Sequence, residues 1–244
     1  TFEMGIRQLG GDYLFLPKQE TQLARGESIR DTAVMLGRYG ISALVLRAFN
    51  DKEVSQFASY SDIPVINGIS DVAHPLQILS DLFTVWEKKG RLDGLKLAYI
   101  GDGNNVANSL IIGGSKVNMD IAIASPHGYS PDKEVVDRAM QYSDVLITDD
   151  IAEAVRGADI VYTDVFISMG DDEDGEKREK LARYRVTPEV MALAKEDAVF
   201  MHCMPARRGE EVSEEVIDGK QSIVYDQAEN RLHINKAVLA LLLK

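Results

Sequence analysis

Cysteine is almost absent from this chain of 244 residues, in which Cys203 stands alone. A single thiol closes no intramolecular disulfide, so a reducing, cytoplasmic setting is expected. The same scarcity argues against a metal site. His202 and Cys203 are adjacent, and no C-x-x-C pair or second histidine-rich cluster supplies the remaining ligands. No run approaches the roughly 20 apolar residues of a membrane-spanning helix. The start, TFEMGIRQLGG, lacks the apolar stretch of a signal peptide. It also lacks an initiator Met, so a processed product, a fragment or the ordered part of a longer chain is expected. Positive charge is in deficit: 27 Lys and Arg against 39 Asp and Glu leave a net charge of -12. That balance favours solubility and argues against nucleic acid or an anionic membrane as the main partner. An anionic substrate would need a local cluster of Arg, His and backbone N–H groups to oppose the global field.

What the chain has is alternation. Short β-rich apolar runs occur at DYLFL (12–16), SALVLRAF (42–49), IPVING (63–68), LKLAYIG (95–101), MDIAIASP (119–126), DVLITDD (144–150), ADIVYTDV (158–165), AVFMHC (198–203) and SIVYDQ (222–227). Amphipathic patterns such as SIRDTAVMLGRYG, HPLQILSDLFTVWEKKG and PDKEVVDRAMQYS lie between them. This pattern predicts an α/β fold of two domains, with parallel sheets covered by helices. The charged, Gly-containing turn KKGRLDG (88–94) marks a boundary. The expected divisions are 1–88, 89–228 and a last helix, 229–244, packing back on the first domain. In open parallel sheets ligands bind beyond the carboxyl ends of the strands. Asn104, Asn105, Asp164, Cys203 and Asp226 each follow a predicted strand, which points to a site there.

Four stretches carry chemistry. YIGDGNNVANS (99–109) runs from a strand through a Gly turn into a helix, but Val106 stands where the dinucleotide fingerprint needs its third Gly. The plain reading is a tight turn with Asn caps; an Asn amide also suits a polar substrate, since it both donates and accepts. In DVAHPLQILSDL (71–82), Asp71 is a plausible N-cap and Pro75 suits a first turn. Capping leaves His74 and Gln77 unexplained near the positive helix end, where anions bind. Arg47 ends a strand, a place where an Arg is commonly only a surface residue. In YTDVFISMGDDEDGEKREK (162–180), the charged half reads as a solvated loop, while Ser168-Met169-Gly170 at its root fits a lid. MHCMPARRGEE (201–211) could supply a Cys-His dyad, yet acyl-enzyme signatures are absent.

Taken together, HPLQ, DGNNVANS, TDVFISMG, HCMPA and AENRLH, in this order, resemble the ornithine carbamoyltransferases, a branch of the transcarbamylase family. The resemblance covers essentially the whole chain, with TQLARGESIRDTA (21–33) similar to the segment after the family's first strands. It implies a carbamoyl-phosphate-binding domain at 1–88, an ornithine-binding domain at 89–228, and transfer of a carbamoyl group to the side-chain amine of L-ornithine. The resemblance implies that Arg47 and His74 polarise the carbonyl oxygen, Gln77 holds the carbamoyl NH2, and Arg231 contacts carbamoyl phosphate. Asn105, Asp164, Ser168 and Met169 would hold the amino-acid end of ornithine, with Cys203 and the Met204 backbone beside it. Gln22 would reach the phosphate in a neighbouring subunit of a homotrimer or a multiple of trimers. No cofactor or metal is implied.

Two departures bear on this. Met204 replaces the usual Leu, a volume-conserving change. The family's Ser-x-Arg-Thr-Arg phosphate-binding segment would precede Phe2, and the sequence begins at Thr1. A non-catalytic member or inactive fragment is therefore one alternative, separable by intact mass and citrulline formation. An NAD-dependent oxidoreductase is a second, and a carbamoyltransferase for another amine such as putrescine is a third.

Overall fold

The computed structural model describes residues 1–167 and 175–243. Those residues form two compact units, Thr1–Leu76 with Arg231–Lys244, and Gln77–Asn230. Ser168, Met169 and the SMG lid expectation lie outside the described residues.

The first unit contains α1 (Phe2–Gln8), α2 (Ile29–Arg38), β1 (Leu44–Arg47), α3 (Asp51–Tyr60) and β2 (Val65–Ile69). β1 and β2 pair in parallel, Leu44 against Val65 and Val45 against Ile66. Ser28 caps α2 by accepting from the Asp31 amide at 3.0 Å. A small core gathers Ile66, Leu76 and Leu239, with Phe2, Ile6, Val45 and Val238 packed on it. The last residues of the chain are thereby tied to the first: Asn235 Nδ2 donates to Thr1 Oγ1 at 2.8 Å.

The second unit begins inside α4 (Pro75–Lys89) and continues through β3 (Lys96–Ile100), α5 (Asn105–Lys116), β4 (Asp120–Ala124), α6 (Lys133–Ala139), β5 (Val145–Thr148), α7 (Ile151–Val155) and β6 (Ile160–Thr163). Beyond the undescribed residues come α8 (Gly175–Leu181), α9 (Pro188–Met191), β7 (Val199–His202), α10 (Glu214–Ile217) and the start of α11 (Val224–Leu242). Its sheet is parallel, in the order β5-β4-β3-β6-β7. Helices cover both faces, which is why the strands read as unbroken apolar runs. Leu97, Tyr99, Ile121, Ile160 and Tyr162 face a core shared with Ile78, Val85, Leu110 and Ile111. Ala98, Ile100, Ala122, Val161 and Phe200 face the other, with Ala154, Val155, Val216 and Ile217.

The two units divide at 76/77 and 230/231, inside α4 and α11, whereas the sequence marks the turn at 88–94. Ile78 of helix α4 packs into the core of the second unit, and the turn at 88–94 follows the end of that helix.

Two predicted strands do not form. DYLFL forms no strand among the described residues, and Leu14, Phe15 and Leu16 are exposed. SIVYDQ makes only a one-residue bridge, Ser222 to Phe200, before α11 starts at Val224. Asp226 therefore lies in a helical first turn, ion-paired with Lys88 at 2.7 Å, and follows no strand. Asp71 does not cap its own helix; its Oδ1 accepts from the Asp51 amide at 2.8 Å and helps start α3.

Two glycines set close packing. A Cβ on Gly113 of α5 would overlap the Ile78 side chain of α4. A Cβ on Gly103 would overlap the backbone of Ser130 and Pro131, and the Gly103 amide donates to Tyr129 O at 2.8 Å. Gly113→Ala and Gly103→Ala should each destabilise the protein by about 1–3 kcal/mol through overpacking, read as a lower denaturant midpoint. Unchanged midpoints would show that these contacts relax freely.

Candidate functional site

The order of the five strands reverses between β3 and β6, the place where a parallel sheet opens a crevice at its carboxyl end. Asn104 follows β3, Asp164 follows β6, and Cys203 follows β7. The structure brings these three together. Asn104 is the N-cap of α5, with Oδ1 accepting from the amides of Val106 and Ala107 at 2.9 and 3.2 Å. Its Nδ2 then donates to Asp164 Oδ2 at 2.9 Å. The Cys203 thiol donates to Asp164 Oδ1, also at 2.9 Å. Asp164 is buried, yet each oxygen has a second lone pair, so it retains acceptor capacity for a cationic group. Asn105, half-buried, is the first residue of α5. Asn104, read from the sequence as a strand-end residue and a cap, also holds Asp164, a contact that only the fold supplies.

His202 is fully buried and does not face Cys203 as a base. The Met204 amide donates to its Nδ1 at 2.9 Å, so the ring proton sits on Nε2, 3.2 Å from Glu211 Oε1. Glu211 Oε1 also accepts from the Arg207 amide. His202 thus braces the turn that carries Cys203 and Met204, whose φ is +54°. Ligand-type atoms of Asp164, His202 and Cys203 lie within 4.8 Å of one another. Both imidazole nitrogens are already engaged, however, so this histidine offers no lone pair to a metal.

Gln77 and Asp81 project one turn apart from α4. Gln77 Nε2 donates to Asp81 Oδ1 at 2.8 Å, and its buried Oε1 has no partner among the described residues. Gln227 Nε2 donates to the same Oδ1 at 2.7 Å, and the Tyr162 hydroxyl donates to Oδ2 at 3.0 Å. Burial, with the Asp81 charge adding to it, pushes the Tyr162 phenol well above its usual range.

Within the first unit, Arg47 ends β1 and His74 immediately precedes α4. His74 is 7% exposed. Burial, then the charges of Arg231 and Arg47, lower its pKa from 6.5 to about 4. The imidazole is neutral at pH 7 within the field of two guanidinium groups, and can donate an N–H to an oxygen that gains negative charge. Gln22 is exposed at the start of a 3-10 turn, Gln22–Arg25. Gly103 presses on its own chain at 129–131, which is where a dinucleotide fingerprint would need open backbone for a pyrophosphate.

Sequence models of the aspartate/ornithine carbamoyltransferases match the chain twice: the carbamoyl-P binding domain over residues 1–87 and the Asp/Orn binding domain over 93–242. The ornithine carbamoyltransferase of Caldicellulosiruptor saccharolyticus is 55% identical over 245 residues, covering 98% of this chain and 79% of that protein. The anabolic ornithine carbamoyltransferase of Pyrococcus furiosus is 48% identical over 249 residues, 100% of this chain and 79% of that one. Among solved structures, the Pyrococcus furiosus ornithine carbamoyltransferase superposes with a TM-score of 0.95 at 48% identity, over 99% of this chain and 79% of that one. The Giardia lamblia ornithine transcarbamoylase gives 0.89 at 30% identity, over 99% and 80%.

The His74 environment makes a pH prediction. Its folded pKa lies below its unfolded one, so the unfolded chain takes up the proton first as pH falls. The stability it preserves is complete above about 6.5 and is lost as pH falls from about 6.5 to about 4. An NMR titration should place the His74 imidazole near 4, and Arg231→Met should raise that value without restoring 6.5, because burial remains. A wild-type value near 6.5 would contradict this electrostatic account.

Proposed function

The chain belongs to the aspartate/ornithine carbamoyltransferase family, and we infer that it transfers the carbamoyl group of carbamoyl phosphate to the side-chain amine of L-ornithine, giving L-citrulline and phosphate. One observation carries the choice of branch: identity of about half, over nearly the whole chain, with proteins named ornithine carbamoyltransferase.

The reaction sets three physical demands. Ornithine's δ-ammonium must lose a proton, which at a Lys-like pKa costs roughly 4–5 kcal/mol at pH 7. The free amine then forms a bond to the carbamoyl carbon while the carbon–oxygen bond to phosphate breaks, the electron pair leaving with the phosphate. Oxyanion charge on the carbonyl must be met by fixed donors. In this reading Arg47 and the neutral His74 supply those donors, and Arg231 meets the negative charge of carbamoyl phosphate. Gln77 accepts a hydrogen bond from the carbamoyl NH2 at Oε1, an acceptor buried without a partner among the described residues. Asp164 receives the cationic α-ammonium, and Asn105 the carboxylate. Cys203, held on Asp164, and the Met204 backbone line the ornithine side. The nucleophile is the substrate's amine, so Cys203 forms no covalent intermediate.

Ser168 and Met169 belong to this reading by motif alone. A cytoplasmic homotrimer, or a multiple of trimers, with Gln22 reaching a neighbouring subunit, completes it. Gln22 is exposed, as is the apolar run Leu14–Leu16, in keeping with an assembly. No described helix is long and apolar enough to cross a membrane.

The test is citrulline formation by the intact protein, with ornithine and putrescine compared at equal concentration. Ornithine should be strongly preferred, since putrescine offers no α-ammonium for Asp164; equal rates would overturn the substrate assignment. Cys203→Ala should raise the KM for ornithine about fivefold, as loss of one hydrogen bond of about 1 kcal/mol implies, while turnover persists. Abolished turnover, or a covalent adduct trapped on Cys203, would contradict the contact role.

A further inference from the structure

Asp81 is 2% exposed, and its neighbours are chosen to donate. It lies one helical turn beyond Gln77, takes that residue's Nε2 at 2.8 Å, and takes Gln227 Nε2 at 2.7 Å on the same oxygen. Tyr162 closes the other oxygen at 3.0 Å. Gln227 in turn receives the His202 backbone amide on Oε1 at 2.9 Å, beside Cys203. The side chains come from α4, β6 and α11 and reach a backbone group of β7, all within residues 77–230.

A glutamine amide has two ends, one that donates and one that accepts, and nothing in its shape fixes which faces outward. An ionised carboxylate only accepts. Held against Asp81, Gln77 must turn its NH2 inward, which leaves Oε1 as the outward end. Oε1 is buried without a partner among the described residues. A neutral amide in the place of Asp81 would remove the bias, because it could pair with either end of Gln77.

We propose that Asp81 is a positioning residue that locks the amide of Gln77 in the orientation that accepts from an N–H donor, and that the same carboxylate ties this acceptor through Gln227 to the strand end carrying Cys203. The proposal rests on the carbamoyltransferase reading, in which that donor is the carbamoyl NH2. It makes the Gln77 site selective for a carbamoyl group over a carboxylate-terminated phosphate ester of equal size, which presents no N–H.

The experiment is a double-mutant cycle with steady-state kinetics on Asp81→Asn, Gln77→Leu and the double variant, each checked by thermal melting. Asp81→Asn should raise the KM for carbamoyl phosphate at least fivefold. In the double variant the loss should match that of Gln77→Leu within about twofold, because Asp81 acts through Gln77. An action of Asp81 independent of Gln77 would instead multiply the two losses, and that result overturns the proposal. So does an Asp81→Asn enzyme with unchanged KM. Tyr162→Phe removes a donor on the far oxygen and the hydroxyl that Gln227 Nε2 also reaches at 3.0 Å, while leaving the Gln77–Asp81 bond, and should leave that KM within twofold. Should Asp81→Asn fail to fold, a crystal structure of the wild-type protein with carbamoyl phosphate decides. Gln77 must remain on Asp81 with its other end toward the carbamoyl nitrogen; a Gln77 rotated off Asp81 refutes the idea. Wild-type protein that forms no citrulline would reject the function itself, an outcome distinct from any of these.

Discussion

Parallel strands cannot be joined by a tight turn, so every parallel pair needs a crossover that covers a face of the sheet. In the second unit β3 pairs with β4 on one side and with β6 on the other. The crossovers therefore diverge from the seam between β3 and β6, and the loops at its carboxyl end are left apart. Asn104 and Asp164 sit on those two loops, and their hydrogen bond at 2.9 Å closes the seam at the top. The rest of the unit follows from this pairing: helices on both faces, apolar strands between them, and the candidate site at the carboxyl end.

Burying polar groups at that end is costly unless each is satisfied. The chain meets the cost by sharing donors. Asn104 caps a helix and holds Asp164 with opposite ends of one amide. His202 accepts from a backbone amide on one nitrogen and faces Glu211 with the other. Asp81 takes two amides on one oxygen. In each case a group that touches no substrate in the proposed reaction fixes one that does. In the first unit burial and charge serve the same end. Burial and the flanking guanidiniums keep His74 neutral, so that it donates without becoming a further buried cation.

Much of this was legible beforehand. The strands β3 to β7 and their helices appear as apolar runs and amphipathic stretches because local pattern and long-range burial agree there. The motif HPLQ placed His74 and Gln77 on one helical turn, and the strand-end positions of Asp164 and Cys203 were readable from the runs before them. The failures have a common cause. DYLFL has strand composition, but a strand exists only when a partner is adjacent, and none of the described strands is. SIVYDQ begins as an edge bridge, and the burial of Gln227 favours a helix from Val224 onward. Asp71 sits where a cap for its own helix is expected and instead serves a helix 20 residues earlier in the chain.

The sequence by itself determined the α/β class, the order of the elements and the residue types able to do the chemistry, because these depend on periodicity and on side-chain chemistry within short windows. The tertiary structure alone decided which of those groups meet. Tyr162 reaches Asp81 across 81 residues and Gln227 reaches it across 146, separations over which no local pattern carries information. It also decided the role of His202, next to Cys203 in sequence yet engaged on one ring nitrogen by the Met204 amide and on the other by Glu211, because those partners are brought to it only by the folded turn.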